Sequence, residues 1–425
     1  MFIKPERFGS LCLPSQFLLI LRGTSSLFVA TSAGYLVSMA VTPAITRLYN
    51  PEIFGRYAAT IAMISILALI SSMKFDLAVL VATEGDLRPL LRTSLVIAMT
   101  VSFAASLVNA IANWGSGASS SVIYSLVVGL LIFVTAVSGL SDALLTRRQH
   151  YARLAKRKFA QPAVLSIGQL LLHGLQQLGL MLGAVLGRSI GLLIVLRSVR
   201  EYPPSGKKLG IDVVDVTKRY WKCPVVYLPS LLLKTIPLQF PVVVVSMRHG
   251  NSVAGQYSVA LVVAMALPAL LTSSVTSPLS GEFAARVRAS NFLQRSLYLQ
   301  STLGLLALAV PIGLLLAVAL PPVVIPVFGS EWKQVRDFIP PLSLLACTSI
   351  CLTPQGCVFA IYERQIWYAI SSVIAVAGFV VAVALAISFS LSAISLIMAI
   401  TFSHVISHIA TWAMGLYIVS KNYTT

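Results

Sequence analysis

Acidic residues are scarce in this chain. Asp and Glu number 13 against 31 Lys and Arg, and charged residues of both signs make up only 10% of 425 residues. A soluble domain carries about 25% charge. So few charges cannot cover a water-exposed surface of this size, which excludes an ordinary soluble globular protein. The same scarcity removes several chemistries. No paired carboxylates, Ser/His/Asp arrangement or Gly-rich phosphate loop stands out, and a chain without a nucleotide motif is not by itself an ATP-driven pump. Cysteine is sparse and odd in number: Cys12, Cys223, Cys347, Cys351 and Cys357. Cys347 and Cys351 share a helix face at i,i+4, but no second pair completes a metal site. Long polar segments are missing too. The longest is the basic stretch 198–222, which leaves no room for a catalytic loop.

What is abundant is apolar sequence, at 57% of residues. It falls into runs near the ~20 residues that a helix needs to cross hydrocarbon, and continuous helices satisfy their own backbone groups there. Twelve spans are predicted: 24–45, 55–73, 93–113, 121–142, 159–177, 178–197, 224–246, 252–275, 298–319, 338–358, 366–387 and 391–418. The fifth and sixth nearly touch near Gly179, so a tight turn joins them. Residues 1–23 read as an amphipathic lead-in to the first helix, since Arg22 interrupts their apolar run and no small-residue cleavage site follows.

The basic residues set orientation. With both termini inside, about 24 of the cations lie on the cytoplasmic side, about 5 outside and about 2 within spans, a strong positive-inside bias. Arg147, Arg148, Arg153, Lys156, Arg157 and Lys158 form one inner cluster; Lys207, Lys208, Lys218, Arg219 and Lys222 form another. They read as topology signals and contacts for anionic membrane lipids. Nucleic acid is not an expected partner, because no stacking platform or recognition fold accompanies the charge.

An internal repeat organises the chain. Phe54-Gly55-Arg56-Tyr57-Ala58 at the second span is echoed by Ala254-Gly255-Gln256-Tyr257-Ser258 at the eighth, with Arg47 and Arg248 ending the preceding spans. Arg148-Gln149 and Arg364-Gln365 add a weaker pair. An offset of six helices is even, so the halves are parallel. The expected fold is all-α and integral to the membrane, with two parallel six-helix bundles, residues 1–205 and 206–425. Parallel repeats about an axis along the membrane normal are a transporter design, with substrate held between the halves near the midplane.

Polar residues inside the membrane are costly and point to function. Arg188 lies nine residues before Arg197, roughly 13 Å deep at a helical rise of about 1.5 Å per residue. Lys234 lies twelve residues past Lys222, roughly 18 Å deep by the same rise. No carboxylate occupies the middle of a span, because Asp76 and Asp142 fall at cytoplasmic ends. These cations therefore call for an anionic ligand, or else for an interface or an acid at a helix end. Lys234 shares its span with Gln239 and with Pro224, Pro229, Pro237 and Pro241, whose freed carbonyls suit a wet path. Arg188 sits beside a ridge of Gly179, Gly183, Gly187 and Gly191, which lets another helix approach closely. Gln169, His173 and Gln176 fall at i, i+4 and i+7 and predict one polar stripe on the fifth span, for sugar hydroxyls or for interhelical hydrogen bonds. His404 and His408 have metal-ligand spacing but no third ligand nearby, so they read as packing histidines. Arg22 stands at the inner mouth of the first span, where it greets an anionic headgroup or anchors the helix end.

A family resemblance joins these features. The stretch from Thr42 to Tyr57, with Arg47, Tyr49, Asn50, Pro51, Phe54 and Gly55 inside it, closely resembles the start of the polysaccharide-biosynthesis flippases. Lys74–Val79, Tyr227–Ser230, Val253–Tyr257 and Phe328–Trp332 carry the same likeness in the family's order. These are the O-antigen and exopolysaccharide translocases of the multidrug/oligosaccharidyl-lipid/polysaccharide exporter superfamily. The resemblance implies transport of an undecaprenyl-diphosphate-linked oligosaccharide across the bacterial cytoplasmic membrane, by alternating access of two bundles. It implies no enzyme activity and no cofactor or metal. Expected partners are the lipid-linked glycan, membrane lipids, and the glycan polymerase and chain-length machinery; the expected state is a monomer. Arg188 and Lys234, with Arg22 at the entrance, are expected to hold the diphosphate and sugar, beside Gln239, Gln169 and His173. These roles rest on depth and charge. The rivals are an ion-coupled multidrug antiporter of the same superfamily, which calls for an intramembrane acid; a membrane glycan polymerase or glycosyltransferase, which calls for a large outer loop; and a non-transporting scaffold.

Overall fold

The computed structural model describes residues 15–112, 118–201, 217–288, 294–362 and 364–421. Twelve long helices account for most of them: α1 Ser15–Leu48, α2 Pro51–Ser72, α3 Glu84–Ala112, α4 Ala118–Arg147, α5 Tyr151–Leu171, α6 Gln177–Glu201, α7 Leu228–His249, α8 Asn251–Arg288, α9 Gln294–Ala319, α10 Val335–Leu352, α11 Gln365–Ser388 and α12 Ala393–Lys421. Among the described residues eleven of them are long and apolar enough to cross a membrane. The exception is α5.

The fifth span corrects the sequence reading. The expectation was 159–177; the helix runs Tyr151–Leu171. Its first turns carry Arg153, Lys156, Arg157 and Lys158, which lower its hydropathy and read as loop. Tertiary partners draw them into the helix. Arg157 is only 3% exposed; its Nη2 lies 2.9 Å from the Asp142 carboxylate and donates to the Ser138 carbonyl at 2.9 Å. Lys158 donates to the other Asp142 oxygen at 2.7 Å. At the far end a 3-10 turn, His173–Leu175, leads to Gln176 at φ 51°. The Gly179 position lies against the Leu172 carbonyl, with room for no side chain. That is the tight turn, and it breaks the predicted stripe: Gln169 is on the helix, while His173 and Gln176 are not.

Packing repeats with the offset that the sequence echoes. In the first six helices α1 packs on α5, α2 on α4, α3 on α4, α4 on α6 and α5 on α6. Six helices later α7 packs on α11, α8 on α10, α9 on α10, α10 on α12 and α11 on α12. The glycine ridge of α6 explains one of these contacts. A methyl group at Gly183 or Gly187 would sit 2.6 Å from Gln169 Cγ or the Gln161 carbonyl oxygen, so α5 lies directly on the ridge.

The two repeat motifs meet one another. Asn50 caps α2, its Oδ1 accepting from the Ile53 amide at 2.9 Å, with Pro51 at the first helical position. Such capping fixes where the helix begins. α8 starts at Asn251, after Gly250 at φ 88°. The helices cross at Gly55 and Gly255, where an added Cβ would stand 1.7 Å from the Asn251 carbonyl oxygen or 2.0 Å from that of Pro51. The same end of the molecule carries further ties. Trp332 Nε1 donates to the Thr46 carbonyl at 2.8 Å, and its ring meets Phe54 edge to face at 5.8 Å. At the opposite end Arg219, just before α7, donates to Asp86 of α3 at 2.6 Å.

Candidate functional site

A cavity of about 940 Å³ lies among α7, α8, α10, α11 and α12. The sequence placed the substrate space between the halves; this cavity is lined by residues of the last six helices and the short segments among them. Its walls hold Lys234, Tyr368, His404 and His408 with several Ser and Thr residues, and among the described residues no Asp or Glu lines it. A lysine in the wall, with no acid among the described lining residues, suits it to an anion.

Prolines build the Lys234 wall. A proline in a helix has no N–H to offer the carbonyl four residues back. Pro241 therefore leaves the Pro237 carbonyl without its helical donor. His404 Nε2 lies 3.1 Å from that oxygen. A carbonyl only accepts, so Nε2 carries the proton and donates. His404 is thus a substitute donor for a proline-broken helix, in keeping with its reading as a packing histidine. His408 reaches Thr348 Oγ1 at 3.3 Å through Nδ1 and lines the cavity. Among the described residues no cluster fit to hold a metal ion occurs.

Lys234 is exposed to the open cavity. Its ammonium donates to the Tyr368 hydroxyl and lies 5.0 Å from the centre of the same ring. A hydrogen bond given by an ammonium is roughly twice as strong as a neutral one, and the ammonium lies at the hydroxyl edge of the ring rather than over its face.

The other predicted residues lie elsewhere. Arg188 belongs to α6 and donates to Thr135 Oγ1 of α4 at 2.8 Å. It stands in the first six helices and does not line the cavity. Gln169 is buried: its Nε2 donates to Tyr57 Oη at 3.0 Å and to the Leu180 carbonyl at 3.1 Å, while its backbone carbonyl accepts from the Tyr49 hydroxyl at 2.7 Å. Those bonds tie α1, α2, α5 and α6 together and leave no side-chain N–H for a sugar. His173 is exposed in the turn after α5, beside the Leu170 carbonyl at 3.2 Å. Gln239 is half-buried on α7 and outside the cavity wall. Arg22 lies on α1, and its side chain is outside the described residues. The structure therefore does not gather the six predicted residues into one site.

Tyr368 and the hydroxyl lining were missed. One signal was present: His404, Ser407, His408 and Thr411 all line the cavity and fall at i, i+3, i+4 and i+7 of α12. That spacing marks one helix face.

Comparison with known proteins places this architecture. The family described as "Polysaccharide biosynthesis protein" matches residues 44–337, more than half of the chain. No curated protein is similar enough in sequence to match. Among solved structures the chain is similar to the lipid II flippase MurJ in its inward closed conformation, with a TM-score of 0.67 at 11% identity, covering 95% of this chain and 91% of that one. It is similar to an inward-facing multidrug resistance MATE family transporter of the MOP superfamily, with a TM-score of 0.64 at 13% identity over 94% and 96% of the two chains. A MOP superfamily transporter from Pyrococcus furiosus, whose binding pocket is described as having reverse polarity, gives 0.58 at 14% identity over 94% and 95%. The chain belongs to the polysaccharide biosynthesis protein family and has the fold of the MOP superfamily transporters.

Proposed function

We propose that this protein is a flippase that moves a polyprenyl-diphosphate-linked oligosaccharide across the bacterial cytoplasmic membrane, from the inner to the outer leaflet. The observation that carries the reading is the cavity: a space with Lys234 and several Ser and Thr residues among apolar ones in its wall, and no carboxylate among the described residues that line it. A diphosphate is anionic, hydroxyls suit a glycan, and a polyprenyl tail stays in lipid. The family and the lipid II flippase neighbour agree with such a substrate. With both termini inside, as the basic bias supports, the Gly55–Gly255 crossing and the Trp332–Thr46 bond hold the halves together at the outer face. The two bodies that rock are the first and last six helices, divided between α6 and α7. Arg188 serves from the first body, as the cation that the glycan headgroup meets when the halves close.

Reconstitution tests this. Proteoliposomes carrying a short lipid-linked oligosaccharide should expose the inner pool to a non-permeant glycan-modifying enzyme only when the protein is present. No exchange, together with accumulation of cationic dyes, would replace the reading with multidrug transport.

A further inference from the structure

Lys234 has a flexible four-carbon stem, and an ammonium on such a stem binds poorly unless something aims it. Tyr368 supplies that. It sits in the first turn of α11, far along the chain from Lys234, and both line the same cavity. Its ring packs on Phe359, the ring centres 5.7 Å apart. Ser371 and Ser372 donate to its backbone carbonyl at 2.8 and 3.1 Å, which pins the turn that carries it.

Proton accounting shows what the pair offers. An ammonium has three N–H donors and no acceptor, and a phenol has one donor and acceptor lone pairs. Lys234 spends one N–H on the Tyr368 oxygen. Two N–H groups remain. Because the phenol oxygen accepts, its O–H proton is free to donate, and accepting from a cation strengthens it as a donor. The two side chains thus present adjacent donors, with one positive charge, toward a space in which no described residue offers a carboxylate.

We propose that Lys234 and Tyr368 together form a phosphoryl-binding subsite, in which Tyr368 positions the ammonium and donates its own O–H to a second phosphoryl oxygen. The ligand class is a diphosphate or monophosphate ester on a lipid. The choice of ligand rests on the flippase reading; the pairing of the two residues does not. Arg188 plays no part in this subsite, since it lies outside the cavity wall.

The test uses the full chain in detergent with farnesyl diphosphate as probe and farnesol as its uncharged counterpart, read by tryptophan fluorescence. Wild type should bind farnesyl diphosphate well and farnesol weakly. Tyr368→Phe keeps the ring and its packing on Phe359 and removes only the hydroxyl. It should weaken the diphosphate roughly tenfold, as loss of one charge-assisted hydrogen bond does. Tyr368→Leu, which also loses the ring that packs on Phe359, should weaken it at least as much. In a Lys234→Ala background Tyr368→Phe should cost clearly less than in wild type, because the aiming of the ammonium is already gone and only the direct O–H donation is left to lose. Unchanged melting temperatures certify the fold of each variant. If Lys234→Ala weakens binding but Tyr368→Phe and Tyr368→Leu bind as wild type, the subsite is wrong and the flippase reading stands. An equal loss from Tyr368→Phe with and without Lys234 would also overturn the pairing. If wild type does not distinguish farnesyl diphosphate from farnesol, both the subsite and the anionic substrate fail.

Discussion

Adding one methyl group at Gly55 forces α2 and α8 apart. The Cβ of an alanine there would lie 1.7 Å from the Asn251 carbonyl oxygen, where ordinary contact starts at 3.4 Å, so the helices must separate by about 1.7 Å. Overpacking costs about 1–3 kcal/mol where side chains give way. Here the obstacle is backbone at the start of a helix, so the cost falls at or above about 3 kcal/mol by the same principle. Gly255→Ala should behave alike, since its Cβ meets the Pro51 carbonyl. Gly304 on α9 is the control, with nothing within 4 Å of its added Cβ. There alanine should stabilise the helix by roughly 0.5–1 kcal/mol. Thermal unfolding of the three purified variants in detergent reads the contrast. A Gly55→Ala protein that melts at or above the wild-type temperature refutes the close crossing.

Three further outcomes follow from named contacts. His404→Ala should destabilise by about 1–3 kcal/mol, because the Pro237 carbonyl loses its donor; in a Pro241→Ala background, where the helix supplies an N–H again, thermal unfolding should show a clearly smaller loss. Asp142→Ala should cost about 3–5 kcal/mol by stranding the buried Arg157 guanidinium, and Asp142→Ala with Arg157→Met should regain much of it in the same melt. In a cysteine-free background, Phe54→Cys with Trp332→Cys should be joined by a reducible bis-maleimide, since the two side chains meet ring to ring at 5.8 Å; export should stop and return on reduction, whereas full export with the link formed would show that this seam need not part.

Much of the architecture was legible because lipid imposes a simple rule. Apolar runs of the required length gave twelve helices, and the 200-residue echo of Gly55 in Gly255 gave the parallel repeat. That these two glycines touch each other was not legible, because contact across a symmetry axis leaves no mark of its own in either motif. The limits of α5 were misread because hydropathy counts Arg157 as exposed, while Ser138 and Asp142 bury it. The Gln169/His173/Gln176 stripe failed at the helix end, although Gly174 and Gly179 stood nearby as turn signals. Depth picked out Arg188 and Lys234 as intramembrane cations, but depth carries no direction. Their partners, Thr135 and Tyr368, lie 53 and 134 residues away, and only packing shows that the two cations do not line one cavity.

The central claim is that an anionic lipid-linked glycan is moved through the cavity that Lys234 lines. Its most direct test is Lys234→Ala in a strain lacking the gene, with insertion of the variant verified. The account predicts loss of surface polysaccharide and accumulation of lipid-linked repeat units on the cytoplasmic side. Normal surface polysaccharide with no accumulated precursor, from a variant inserted at the wild-type level, would contradict it.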